Sequence, residues 1–497
     1  MKVAFPILIS FLLFNTFCAS AQSVDDMLRV AKKEHDRLLE LSAGFKEEVR
    51  KQWMEYLNRP WTPVEAEPPL QRPLEDNPDL MMIPLESYEY NVGETFEVPS
   101  SVFVMDKGLY AENYFTEFPV YEEKSDVSSQ VNIPLNGFEI LVRYPVDGKI
   151  NLEGNSEADV ASALADMSQL PLSNTLRDLS RARELLSLSD WSFVKMVDKL
   201  SAVVCKSKSS PEAVLLQAYI LNAFGFNMCI GRADDGCICK LIETDAYLYD
   251  FASFRHGDLI FYHLDGNMDE VKMVDMIDLP SDSRRPMRMR MNPDERFHMN
   301  ASREMKFAPE RYPNLFMAVS TDLSRMDFYA DYPMYYTEGG PLSAYYHYAM
   351  MPMSEEVRDA VYPLLRRAVA GRSELEAVNI LLNLVQTAFP YARDVETWGV
   401  ERYFFPDELW RYGEGDCEDK SILFSRLVRD VLGLPVALVY WPGHLSCAVC
   451  FTDEVKGAYF HVGKERYVSC DPTYENAYAG AVMNDYKIKK AELILLP

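Results

Sequence analysis

The chain has 497 residues, 48% apolar and 25% charged. That balance is globular, with room for two or three domains at roughly 100–200 residues each, and it excludes a chain disordered along most of its length. The formal charge of −26, from 76 acids against 50 bases, repels phosphate backbones and anionic lipids, so no nucleic-acid partner is expected.

Lys2 precedes an apolar run of about 15 residues, Val3 to Phe17, too short to span a bilayer comfortably. Ala19-Ser20-Ala21 then supplies an A-x-A cleavage signature. Residues 1–21 are expected to be a signal peptide cleaved near Ala21, with the remainder exported to a periplasm or secreted. Cys18 follows Phe17 and not a small residue, which argues against lipidation. No other stretch is long and apolar enough for a membrane helix, so no membrane span is expected.

Residues 22–59 read as an amphipathic helix. Leu38, Leu41, Phe45, Val49, Trp53 and Leu57 recur every three or four residues, the period of one helix face. Residues 60–87 hold Pro60, Pro63, Pro68, Pro69, Pro73, Pro78 and Pro84. No helix or inner strand is expected at that density, so this stretch reads as an extended strap.

Beyond residue 88 the chain repeats itself. Ala213 to Gly225 and Ser421 to Gly433 are each an apolar helix closed by a glycine suited to a left-handed C-cap. Each precedes a strand-like run, Met228–Gly231 and Val436–Tyr440. At the same offset Cys239 falls on Cys447, and later strands end at Asp250 and Asp471. The pattern predicts a tandem duplication, residues 88–283 and 284–497. Cys417 then maps to Ser209 and His444 to Gly236, so the first copy lacks the chemistry of the second.

Eight cysteines lie beyond Cys18, too few for a disulfide scaffold. Cys237-Ile-Cys239 and Cys447-Ala-Val-Cys450 invite a zinc reading. The second pair lies in a strand-like run, where residues three apart point to opposite faces. Small buried cysteines are expected, with no metal and no cofactor. Arg284-Arg285-Pro-Met-Arg288-Met-Arg290 alternates with period two, predicting a strand with an internally paired basic face. The tyrosines of 329–336 and 345–348 read as packing aromatics. His461 reads as a surface histidine.

The run Gly413-Glu-Gly415-Asp-Cys417-Glu-Asp opens the second apolar helix. A cysteine there feels the positive end of the helix dipole, which favours the thiolate, and its backbone amide can donate to an oxyanion. His444 begins a strand and Asp471 ends the next one. Antiparallel pairing brings them face to face, giving nucleophile, base and orienter. Asp416, Glu418 and Asp419 read as helix-start acids; they oppose thiolate formation, which leaves His444 as the main activator.

Gly415-Asp-Cys417-Glu-Asp, the helix end at Gly433-Leu-Pro435, His444 and Asp471-Pro-Thr473 together resemble the transglutaminase-like superfamily, closest to its bacterial cysteine-protease branch. The resemblance covers about residues 400–475, with a weaker echo over 205–255. It implies an α+β fold of two tandem papain-like domains, the first degenerate, behind the helix and strap. It also implies a triad of Cys417, His444 and Asp471. The family often has His-Ala-Trp where this chain has His444-Leu-Ser446, which weighs against the cross-linking branch. The upstream oxyanion side chain is left open among Trp398, Trp410 and Tyr412. The expected function is thiol-dependent hydrolysis of a peptide or protein amide by a monomer. The alternatives are a non-catalytic peptide-binding scaffold and a cross-linking transglutaminase.

Overall fold

The computed structural model describes residues 32, 33, 44, 46–73, 92–103, 105, 121–124, 126–265, 271–280 and 284–497. The expected signal peptide, residues 1–21, and most of residues 22–45, including Leu38, Leu41 and Phe45, lie outside them. The chain is 35% helix and 26% strand, an α+β mixture. It divides into two compact units, 1–61 with 148–171, and 62–147 with 172–497.

In the smaller unit, residues 46–57 are helical. Leu57 is buried and Val49 and Trp53 are half-buried on the same face, as the spacing predicts. Helix Glu157–Met167 starts with a capping box, Ser156 against Asp159. Arg50 Nε meets Asp166 Oδ1 at 2.8 Å.

The larger unit holds two curled sheets. The first is a closed six-stranded barrel. Its strands are β1 (Thr62–Glu67), then, after β2 (Phe96–Glu97) and β3 (Ser100–Phe103), β4 (Met228–Ala233), β5 (Ile238–Glu243), β6 (Ser253–His256), β7 (Leu259–Tyr262) and β8 (Met273–Asp278), in the order β1-β8-β4-β5-β7-β6. The second sheet adds β9 (Val436–Trp441), β10 (His444–Cys450), β11 (Ala458–Val462), β12 (Glu465–Cys470) and β13 (Ala491–Leu496) to β2 and β3, in the order β2-β11-β12-β10-β9-β13-β3. Helix α1 (Pro211–Ala223) precedes the barrel hairpin β4–β5. Helices α2 (Glu374–Ala388) and α3 (Cys417–Leu427) precede the second.

The sequence of strands β8-β4-β5-β7-β6 in the barrel repeats as β13-β9-β10-β12-β11, with every neighbour antiparallel in both. What closes each set differs. In the barrel β1 pairs antiparallel with both β8 and β6. In the second sheet the short segment 96–103 covers both edges, β2 parallel to β11 and β3 parallel to β13. Open edges demand partners, and upstream segments supply them.

Two sequence expectations change here. The proline density predicts no inner strand, yet Thr62–Glu67 closes the barrel. Pro60 precedes the strand, Pro68 and Pro69 follow it, and the one proline inside, Pro63, is exposed near its start. The halves also exchange segments across the expected boundary. Residues 96–103, assigned to the first half, join the sheet of the second, while Arg285 and Met287 bridge to Phe226 and Thr244. Among the described residues the Arg284–Met291 stretch makes only those isolated bridges, although Met287, Met289 and Met291 are buried in alternation as a strand would bury them. Two of its arginines are paired internally, Arg284 with Asp278 at 2.7 Å and Arg285 with Asp190 at 2.6 Å.

Candidate functional site

The loop before Cys417 is pinned by its glycines. Gly413 has φ +80°, a left-handed conformation. A Cβ on Gly415 would come within 2.7 Å of both Asp419 Oδ2 and Leu409 Cδ1, so a side chain there would require both to move. Gly415 N donates to Pro390 O at 3.2 Å, and Gly415 O accepts from Ala392 N at 3.2 Å. Cys417 is then the first residue of α3, with Asp416 at the N-cap.

Helix α3 lies against β10. Ser421 Oγ donates to Leu445 O at 3.0 Å, and Cys447 Sγ donates to Ser421 O at 3.3 Å. Leu445 N donates to Cys417 Sγ at 3.4 Å, a contact that favours a sulfur anion. Cys417 Sγ also donates to Glu418 Oε2 at 3.1 Å.

His444 opens β10 across the two-residue turn Pro442-Gly443, opposite Trp441. Asp471 follows β12, whose Cys470 pairs with Cys447 of β10. His444 Nε2 and Asp471 Oδ2 are 2.9 Å apart. Burial pushes the Asp471 carboxyl up, but the opposing charge of His444 and hydrogen bonds from His444 and Thr473 hold it below its usual range. An ionised Asp471 accepts, so Nε2 carries the proton. Nδ1 is buried and, among the described residues, without a hydrogen-bond partner. It is the nitrogen available to take a thiol proton. Tyr486 packs on the imidazole with ring centroids 5.0 Å apart. Trp441 Nε1 donates to Ser446 Oγ at 3.2 Å, so an indole from the neighbouring strand sits against the position where the resembled family often carries tryptophan.

The three sequence-predicted residues thus fall on one helix start and two adjacent strand ends, all buried, with Cys417 and His444 at 0% exposure. The oxyanion candidates are not separated. Trp410 packs in the core edge-on to Phe307 and Phe389, each at 5.0 Å. Trp398 and Tyr412 stand 4.8 Å apart beside Arg402. His461 is exposed, 3.1 Å from Glu97, and the tyrosine clusters are buried packing, as in the 4.4 Å stack of Tyr348 on Phe405.

The helix-start acids do more than cap. Asp416 and Glu418 gather with Asp394 and Glu401, with one oxygen from each lying within 4.8 Å of the others. Burial, then the charge of Asp394, pushes the Asp416 carboxyl well above its usual range. Burial, then Asp416, does the same to Glu418, and Asp419 follows the same pattern. An all-carboxylate set of this size is the one place among the described residues that can hold a metal, and its hard oxygen donors suit calcium or magnesium. Asp394 and Glu401 carry no sequence signal that joins them to the motif. Lys420, one turn on, is buried and its ammonium is pulled down to about 8 by burial.

The described cysteines form no disulfide. Cys447 and Cys450 lie in one strand, β10, as their setting predicts. Cys237 departs from the expectation of burial: it is exposed, in the loop before β5.

The chain matches no protein-family model and no curated protein.

Proposed function

We propose that the chain is an exported thiol acyl-transfer enzyme of transglutaminase-like type that hydrolyses peptide or amide bonds. The observation that carries this reading is the His444 Nε2–Asp471 Oδ2 contact at 2.9 Å, with the backbone amide next to His444 donating to Cys417 Sγ. His444 Nδ1 takes the thiol proton, and Cys417 Sγ attacks the carbonyl carbon. The Cys417 backbone amide donates to the oxyanion. The C–N bond then breaks as His444 returns the proton to the leaving amine. Water, giving a proton to His444, attacks the thioester and frees the acid and the thiol. Ser446 in place of the family tryptophan favours hydrolysis over cross-linking.

The two halves are read as tandem copies, the first without chemistry. Support comes from the shared order of helix, glycine and five antiparallel strands. By topology the counterparts of Cys417, His444 and Asp471 are Pro211, Cys237 and His263: the first helix residue, the residue opposite the end of β4, and the residue after β7. His263 takes the place that the match of strand-ending aspartates gave to Asp250, because Asp250 follows the short strand Tyr247–Leu248, which is not part of the barrel.

The full burial of Cys417 and His444 favours a second reading, a binding scaffold that keeps the fold without turnover. An electrophilic thiol probe separates the two. The enzyme reading expects labelling at Cys417 that requires His444. Absence of label on folded protein would move the chain to the scaffold reading.

A further inference from the structure

Helix α2 carries a stripe that the thiol chemistry does not use. Asn379, Asn383 and Gln386 are four and three residues apart, so they share one helix face, and all are buried. Buried amides destabilise a core unless partnered. All three reach one target, the loop that leaves β12 at Asp471. Asn379 Oδ1 accepts from Ala479 N at 2.8 Å. Asn383 Nδ2 donates to Asn476 Oδ1 at 3.0 Å. Gln386 Nε2 donates to the carbonyls of Asp471, Tyr474 and Ala477 at 2.9, 2.8 and 3.1 Å.

The carboxylate of Asp471 is divided between two tasks. Oδ1 accepts from Thr473 N at 2.9 Å, Thr473 Oγ1 at 2.7 Å and Tyr474 N at 3.2 Å, which leaves Oδ2 for His444. The main chain of the same residue is held by Gln386. The backbone carbonyl of Gln386 in turn accepts from Lys420 Nζ of α3 at 3.2 Å. One residue therefore ties the nucleophile helix to the acid loop. Gln386 Oε1 is buried and, among the described residues, has no hydrogen-bond partner. An arrangement that leaves an oxygen unsatisfied to keep three carbonyls on Nε2 is specific to those carbonyls.

We infer that Gln386 is a positioning residue: its side-chain amide sets Asp471 against His444 and so presents Nδ1 to Cys417. The inference rests on reading Cys417, His444 and Asp471 as one site. The test compares Gln386→Met, which keeps length and loses both donors, with Asn379→Ala, which releases only Ala479, as the stability-matched control. Histidine-labelled protein, with only 7 histidines to resolve, reports the His444 imidazole N–H by nitrogen-15 NMR. Iodoacetamide labelling of Cys417 at pH 6 reports reactivity.

Gln386→Met is expected to speed exchange of the imidazole proton and to slow labelling, each on the order of tenfold, because displacement of a supporting group by about 1 Å has effects of that size or larger. Asn379→Ala, at a comparable melting temperature, is expected to move neither. Where the Met variant fails to fold, Gln386→Asn, with the amide one methylene short, should give the same shifts at smaller amplitude. Wild-type exchange and labelling in the Gln386 variants, or equal changes in Asn379→Ala, would overturn the inference. Equal labelling of wild type and His444→Ala would instead sink the thiol-enzyme reading, and the imidazole signal alone would then decide the role of Gln386.

Discussion

The two halves of the larger unit place the same five strands in the same order beside a helix that ends in a left-handed glycine, Gly225 or Gly433. They differ in the side chains at three corresponding points and in how each core handles charge. The barrel buries a cation, Lys240, 3.2 Å from Asp198 Oδ1 and 2.7 Å from Gln217 Oε1, with Asp265 also in contact. The second half buries Cys417, His444 and Asp471 with the carboxylates of 394, 401, 416 and 418. A shared topology thus supplies equivalent positions, and the residues placed in and around them give the two halves different buried charge.

Alkylation gives the largest contrast. Cys237, the exposed counterpart of His444, has its thiol raised by the hydrogen bond to Asp235, so it should label slowly at pH 6 and fast at pH 9. Burial raises the other thiols, Cys205 to about 11 and Cys239 to about 12, so they should label slowly throughout. Cys417 should react at pH 6 through its histidine, because a histidine-paired thiol titrates at roughly 3.5–7.5. His444→Ala should slow it on the order of a hundredfold there and much less at pH 9, and Asp471→Asn should have a smaller effect of the same sign. Peptide mass spectrometry across pH reads all the thiols together. A Cys417 profile that parallels Cys237 would erase the distinction between the halves.

Lys240→Met should cost about 3–5 kcal/mol in urea unfolding, because it strands Asp198 and Asp265 without their cation. Cys417 labelling at pH 6 should stay at the wild-type rate. A loss below about 1 kcal/mol would mean that the barrel charges behave like a surface pair.

The second half should respond to pH in the opposite sense to a core of ordinary salt bridges. Burial raises the carboxyls of Asp407 to about 6 and Glu408 to about 7, and those of Asp416, Glu418 and Asp419 upward. Each binds its proton more tightly folded than unfolded. Their contribution is full below the unfolded value, 4.5 for Glu408, and is lost as pH rises through about 7. Asp190 and Asp471, held low by positive neighbours, act the other way and lose their contribution in acid. His347, pulled down to about 3 by burial, also loses its contribution in acid, below about pH 6.5. The melting temperature should therefore fall between pH 6.5 and pH 8. Added calcium should flatten that fall by neutralising the cluster, and Asp416→Asn with Glu418→Gln should remove the calcium effect. A melting temperature that rises across this range would refute the upward direction given for these carboxyls.

The smallest effect tests what the halves share. Gly433 has φ +69° and open space where a Cβ would sit, so Gly433→Ala should cost only backbone strain, about 1 kcal/mol. A loss several times larger would mean that the helix end has a role beyond termination.

The local motif was legible because its signals are local. A glycine-framed cysteine opening an apolar helix, a histidine starting a strand and an aspartate ending the next are readable from spacing and turn chemistry alone. The helix–glycine–hairpin repeat was legible for the same reason. The counterpart of Asp471 was not. Matching strand ends points to Asp250, which follows the short strand Tyr247–Leu248 outside the barrel, whereas the residue after β7 is His263, the position that the constant spacing of the repeat reaches. The strand inside the proline-rich strap was also hidden, because its only reason to form is the open edges of β6 and β8.

Sequence by itself determined the α+β mixture, the two glycine-ended helices and the three residues of the candidate site, each through an interaction reaching a few positions along the chain. Tertiary structure decided that Asp394 and Glu401 meet Asp416 and Glu418, and that Gln386 holds the loop of Asp471. These contacts join residues far apart along the chain, and their free energy comes from burial and hydrogen bonding in the folded core, so no pattern along the sequence encodes them.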